Sequence, residues 1–82
     1  MKSEKLFQKI LSGSKNVSFS DFAQLLRAFG FELDRINGSH QIFKHKNVTE
    51  LINIQNVKGK VKPYQIKQFL SIIENNNLKL EK

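Results

Sequence analysis

Phe31-Glu32-Leu33-Asp34-Arg35-Ile36-Asn37-Gly38-Ser39-His40-Gln41-Ile42-Phe43 decides the fold of this 82-residue chain. Just before it, Phe22, Leu25, Leu26 and Phe29 follow the i, i+3, i+4, i+7 spacing of one apolar helix face. After Gly30 the period drops to two. Phe31, Leu33 and Arg35 alternate with Glu32, Asp34 and Ile36, which reads as a strand. Asn37-Gly38 is the strongest short hairpin signal available, because a tight two-residue turn favours residues that accept positive φ. It leads into a second strand over 41–46, around Ile42 and Phe43. Lys46-Asn47 marks the next turn, and 49–55 gives a third strand. There Ile52 and Ile54 share one face, while Leu51, Asn53 and Gln55 share the other. Connections this short make the meander antiparallel.

Working outward, the helix over 18–29 carries complete end signals. Ser18 can cap it, Asp21 stands three residues on, and Val17 and Phe22 form a hydrophobic staple. Gly30 supplies the left-handed residue after the helix, and Phe31 can fold back onto Leu26. Residues 3–12 read as a short helix with Leu6, Phe7, Ile10 and Leu11 at helical spacing; so short a helix persists only when docked. Residues 56–62 form a polar, basic loop. Pro63 opens a last helix with Ile66, Phe69, Leu70 and Ile73 on one face, and Asn75-Asn76-Asn77 ends it. The order is helix, helix, three strands, helix. Helices on one face of a three-stranded antiparallel sheet make an α+β two-layer sandwich, with the other sheet face left open.

Composition narrows the function. The chain suits one domain and has no room for a deep two-domain cofactor cleft. It has no Cys, which removes disulfides, thiol nucleophiles and cysteine-ligated metals, and fits a reducing cytoplasm. The start shows no signal-peptide core, and no stretch approaches the ~20 apolar residues that cross a bilayer. The net charge is +7, from 14 Lys and Arg against 7 Asp and Glu. That surplus points to a polyanionic partner, or else only keeps a small domain soluble. No Gly-rich phosphate loop, zinc-protease motif or nucleophile elbow occurs, and the carboxylates are too scattered to hold a metal. No cofactor is expected.

Only His40 and His45 are histidines. Five positions apart on an unbroken strand, they fall on opposite faces and do not make one site. His40 follows a glycine turn, which holds it on firm backbone within reach of solvent. An imidazole that titrates near ~6.5 when free can act there as general acid or base; the plainer reading is an ordinary surface histidine. Lys44, Lys46, Lys58, Lys60, Lys62 and Lys67 face only Glu50 over the same stretch. Lys58, Lys60 and Lys62 lead into the N-terminus of the last helix, where free N–H groups favour anions. A solvated lysine-rich loop is the competing reading. Tyr64 is the one aromatic near these lysines able to stack on a base.

Three runs together resemble the HicA family of toxin–antitoxin toxins. They are Val17-Ser18-Phe19 through Phe29-Gly30-Phe31, then Gly38-Ser39-His40-Gln41-Ile42-Phe43, then Lys62-Pro63-Tyr64-Gln65-Ile66-Lys67-Gln68-Phe69. The resemblance implies a fold like the double-stranded RNA-binding domain, α-β-β-β-α, over residues 17–78. Residues 1–16 then form an N-terminal helical extension and linker, and 79–82 a loose tail. It implies a metal-independent endoribonuclease acting on mRNA in the cytoplasm, neutralised by a HicB-type antitoxin. The family's catalytic histidine carries over to His40, with Gly38 and Ser39 as the turn that presents it. Lys44, Lys46, Lys58, Lys60, Lys62, Tyr64 and Lys67 are the residues expected to meet RNA. Many members have a second His directly after the first, where this chain has Gln41. A non-catalytic RNA-binding module of the same fold is the main alternative, and a protein-interaction domain with a basic face is a third.

Overall fold

The computed structural model describes residues 3–81; Met1 and Lys2 of the expected extension and Lys82 of the expected tail lie outside the described residues. The elements in chain order are α1 (Ser3–Leu11), α2 (Phe19–Ala28), β1 (Glu32–Asn37), β2 (His40–His45), β3 (Val48–Gln55) and α3 (Pro63–Asn75). The sheet is an antiparallel meander in the order β1-β2-β3. This is the α+β, α-β-β-β-α architecture expected, with α1 added in front.

The ends of α2 form as its residues dictate. Ser18 Oγ accepts the Asp21 amide at 3.2 Å. At the other end Gly30 takes φ +93°, its amide donates to Arg27 O, and the Phe31 amide reaches back to Leu26 O. These are the two bonds of a Schellman cap, which Gly makes without the cost of a Cβ. The end of α3 repeats the device with Asn77 as the left-handed residue and a Leu78-to-Ile73 bond.

The core lies between the helices and one sheet face. Phe69 of α3 stands at the centre of an edge-to-face cluster with Phe22 of α2 and its C-cap residue Phe29, both at 5.3 Å, and Phe7 of α1 at 6.5 Å. Phe43, Ile52 and Ile54 close the core from the sheet. Helix α1 therefore shares the core of the whole domain: Leu6 and Ile10 are buried in it beside Phe7. The tail also departs from its expected looseness. Leu78 and Leu80 pack against the core, and the Glu81 amide donates to Ala28 O at 2.7 Å. The apolar spacing in 78–80, short as it is, suffices to seat this segment.

Two features of the sheet differ from strict alternation. The two-residue loop is Gly38-Ser39, not Asn37-Gly38, because Asn37 pairs directly with His40. Gly38 has φ +64° while Ser39 has an ordinary negative φ, the signature of a II′ turn, which asks for Gly at its first central position. A β-bulge lies between Leu33 and Arg35. Leu33 still pairs with Phe43 on the helix side, but Arg35 pairs with Ile42 on the open side. The extra residue, Asp34, turns Arg35 away from the face that strict alternation gives it.

Candidate catalytic face

The open face of the sheet is built from alternate residues of each strand. His40, Ile42 and Lys44 of β2 stand on it, since their neighbours Phe43 and His45 are buried on the helix side. Across β3, Gln55 is opposite His40 and Asn53 is opposite Ile42; across β1, Asn37 and Arg35 take the corresponding places. His40 is the first residue of β2, immediately after the II′ turn, and is part-exposed.

The His40 ring is held. Its Nδ1 lies 2.9 Å from Asn53 Oδ1, a contact between diagonal neighbours on adjacent strands. With the Asn53 amide oxygen as acceptor, this contact favours the tautomer that carries its proton on Nδ1 and turns Nε2 toward the open face. A register shift between Phe43 and His45 sets this pairing. Phe43 pairs with Ile52, where an even ladder running from His45 and Val48 would give Glu50.

A second chain of polar contacts fixes the turn. Gln55 Nε2 donates to Ser39 Oγ at 3.3 Å, and the Asn56 amide donates to Ser39 O at 3.2 Å. Gln65 of α3 is 1 % exposed, and its Oε1 accepts both the Gln55 amide and the Lys62 amide, each at 3.3 Å. One buried amide oxygen thus ties the outer edge of β3 to the first turn of α3. It brings the start of that helix to the His40 end of the sheet.

His45 has a different setting. It is buried, its Nδ1 accepts the Asn47 amide at 3.0 Å, and its ring meets Phe31 edge-on at 5.0 Å. It lies on the helix side of the sheet, as its odd separation from His40 requires. A pocket of about 860 Å³ opens beside it, lined by Arg27, Lys44 and Lys46 together with Glu32 and Glu81, and His40 takes no part in it. Among the described residues no three His, Asp or Glu side chains gather as a metal-ligand set.

The expected RNA-contacting residues separate into groups. Lys44 shares the open face but stands four residues from His40, ~13 Å along the strand, with Nζ 3.5 Å from Asp34. Lys46 sits in the turn at the far end of β2. Lys58 and Lys60 flank Gly59, whose carbonyl accepts the Phe19 amide at 2.8 Å, so their turn leans on the start of α2. Lys60 Nζ is bonded to Asn16 Oδ1. The single cradle expected at the start of α3 accordingly reduces to Lys62, with Tyr64 exposed in the first turn and Lys67 exposed further on. Arg35, Asn53, Gln55 and Gln65 are the participants that the sequence reading did not single out. The signal for Asn53 and Gln55 was present: both lie on one face of β3, and a meander puts that face beside His40.

A family model described as HicA toxin of bacterial toxin-antitoxin matches residues 19–74. The chain belongs to the HicA toxin family. Neither the curated proteins nor the solved structures hold a significant match to it. The matched HicA region runs from the first residue of α2 almost to the end of α3 and contains the whole sheet. It leaves out α1 and the C-terminal segment, which this HicA chain nevertheless folds into its core.

Proposed function

We propose that this HicA protein is the toxin of a toxin–antitoxin pair and a metal-independent endoribonuclease of mRNA, with His40 as its catalytic residue. The observation that carries the reading is the His40 ring on the open sheet face, held through Nδ1 by Asn53 and presented by the Gly38-Ser39 turn. Nε2 of His40 takes the proton of an RNA 2′-hydroxyl. The 2′-oxygen forms a bond to the adjacent phosphorus, the bond from phosphorus to the 5′-oxygen breaks, and water gives that oxygen its proton. The products are a 2′,3′-cyclic phosphate and a 5′-hydroxyl. General base catalysis of this kind contributes ~10²–10⁴ in rate. Lys44, Lys62, Tyr64 and Lys67 bind the strand on either side of the reacting phosphate, while Lys46, Lys58 and Lys60 add to the field that attracts it.

A HicB-type antitoxin neutralises the protein in the cytoplasm by covering the face that bears His40. Among the described residues no helix is long and apolar enough to cross a membrane. Induction of the wild type arrests growth, and induction of His40→Ala does not; equal arrest by both removes His40 from the chemistry. Because the 2′-hydroxyl is the nucleophile, a DNA copy of the cleaved RNA stays intact. Binding of duplex RNA without cleavage by the purified protein would favour the non-catalytic module instead.

A further inference from the structure

We propose that Arg35 neutralises the phosphate under attack beside His40, and that the bulge at Asp34 is what places it there. This assignment rests on the ribonuclease reading above. The argument begins with register. Arg35 and Asn53 are both directly opposite Ile42, one on β1 and one on β3, so both are diagonal neighbours of His40. Such neighbours lie ~7–8 Å apart at the backbone, within reach of long side chains. The contact between Asn53 and His40 shows that this diagonal can be spanned here. Arg35 holds the same register position on the other flank of β2.

Among the described residues, no other cation borne by a strand lies as near His40 in the register. Lys44 is twice as far along β2 and leans on Asp34. Lys60 is held by Asn16. Arg27, the other arginine, lies 5.9 Å from the ring of Phe43 on the helix side. The side chain of Arg35 is 64 % exposed, and among the described residues its ion pair is with Asp34, at 3.9 Å, the outer limit of such a contact. It is free to turn toward a ligand. A planar fork of N–H donors matches two phosphoryl oxygens at once, which a lysine does not. Charge grows on those oxygens as the 2′-oxygen attacks, and a donor already aimed at them lowers the barrier.

The bulge gives the placement its cause. With strict alternation from Phe31 and Leu33, Arg35 would fall on the helix side. The added residue at Asp34 moves it to the open side, two pairs from the turn that carries His40.

The test uses the full chain and a labelled single-stranded RNA oligonucleotide, with its 2′-deoxy copy as the uncleavable ligand. Removal of one donor of this kind lowers kcat by ~10²–10³. Arg35→Ala is expected to show that loss, with a much smaller loss of affinity for the deoxy copy and an unchanged melting temperature. Arg35→Lys recovers part of kcat, because the charge persists without the fork. His40→Ala is run beside them. An inactive His40→Ala with a wild-type kcat for Arg35→Ala overturns the assignment alone. A fully active His40→Ala, or a wild type that cuts no RNA, removes the ribonuclease reading and the assignment with it.

Discussion

Gln65→Met tests the joint between helix and sheet. The substitution keeps the length and volume of a fully buried side chain and removes its amide oxygen. Two backbone donors, Gln55 N–H and Lys62 N–H, lose their acceptor. A typical hydrogen bond contributes ~0.5–1.5 kcal/mol net. Both of these are 3.3 Å long, beyond the usual range, so the lower half applies to each and the pair amounts to ~1–2 kcal/mol. For a domain of this size that is a fall of roughly 4–16 °C in melting temperature. Thermal and urea unfolding followed by circular dichroism read it directly, with an unchanged urea slope showing that the unfolded state is not the cause. The consequence reaches the turn as well, since Gln55 holds Ser39 through its side chain. Gln55→Ala in the Gln65→Met background should therefore cost less than Gln55→Ala alone. A Gln65→Met protein that melts with the wild type refutes the idea that this oxygen joins the two elements. Strict additivity of the two changes refutes the link to the turn.

Other substitutions probe the remaining parts. Phe69→Ala empties the place where three other phenylalanines meet and should cost ~3–5 kcal/mol by urea unfolding, and Phe7→Ala should couple to it in a double-mutant cycle. Gly30→Ala meets both a left-handed backbone and the side chains of His45 and Glu81. It should lose ~1–2 kcal/mol from the backbone and more from the clash, of which Glu81→Ala restores only the share due to Glu81, since the His45 ring still stands 2.9 Å from the added Cβ. At Gly38 there is open space for a Cβ, so Gly38→Ala should show the backbone cost alone, and Gly38→Asn less of it, in thermal unfolding. Asn53→Leu should leave stability within the range of a surface change while the fixed tautomer of His40 is lost, read by nitrogen NMR of the imidazole.

Helix α2 was legible from end to end because every signal in it is local: the cap, the staple, the apolar stripe and the glycine all act within a turn of one another. The strands were legible in number and order for the same reason. Their register was not. Asn37-Gly38 and Gly38-Ser39 are both acceptable two-residue loops, and the choice between them rests on cross-strand pairing that no local pattern records. The bulge at Asp34 is marked by neither glycine nor proline, so alternation carried straight through it and placed Arg35 on the wrong face. His40 stood out through its turn, but its partners come from β3 and α3. Gln65 reads in sequence as one polar residue of an amphipathic helix, and only the packed structure shows it buried. Helix α1 and the tail looked peripheral because each is short; their leucines, isoleucine and phenylalanine gain their place only against a core assembled by other segments.

The open sheet face has a bearing on speed and on control. A histidine that stands on a flat surface keeps bulk water around it, and water weakens each charge that acts there. Among the described residues no lid expels solvent from it, so the ribonuclease proposed above would gain little from confinement and would turn over slowly, with strong dependence on ionic strength. The same flatness simplifies inhibition. Among the described residues no lid covers the His40 face, so on the ribonuclease reading proposed above a rigid surface laid across the strands would shut out RNA, and lifting it would restore activity without a change of shape.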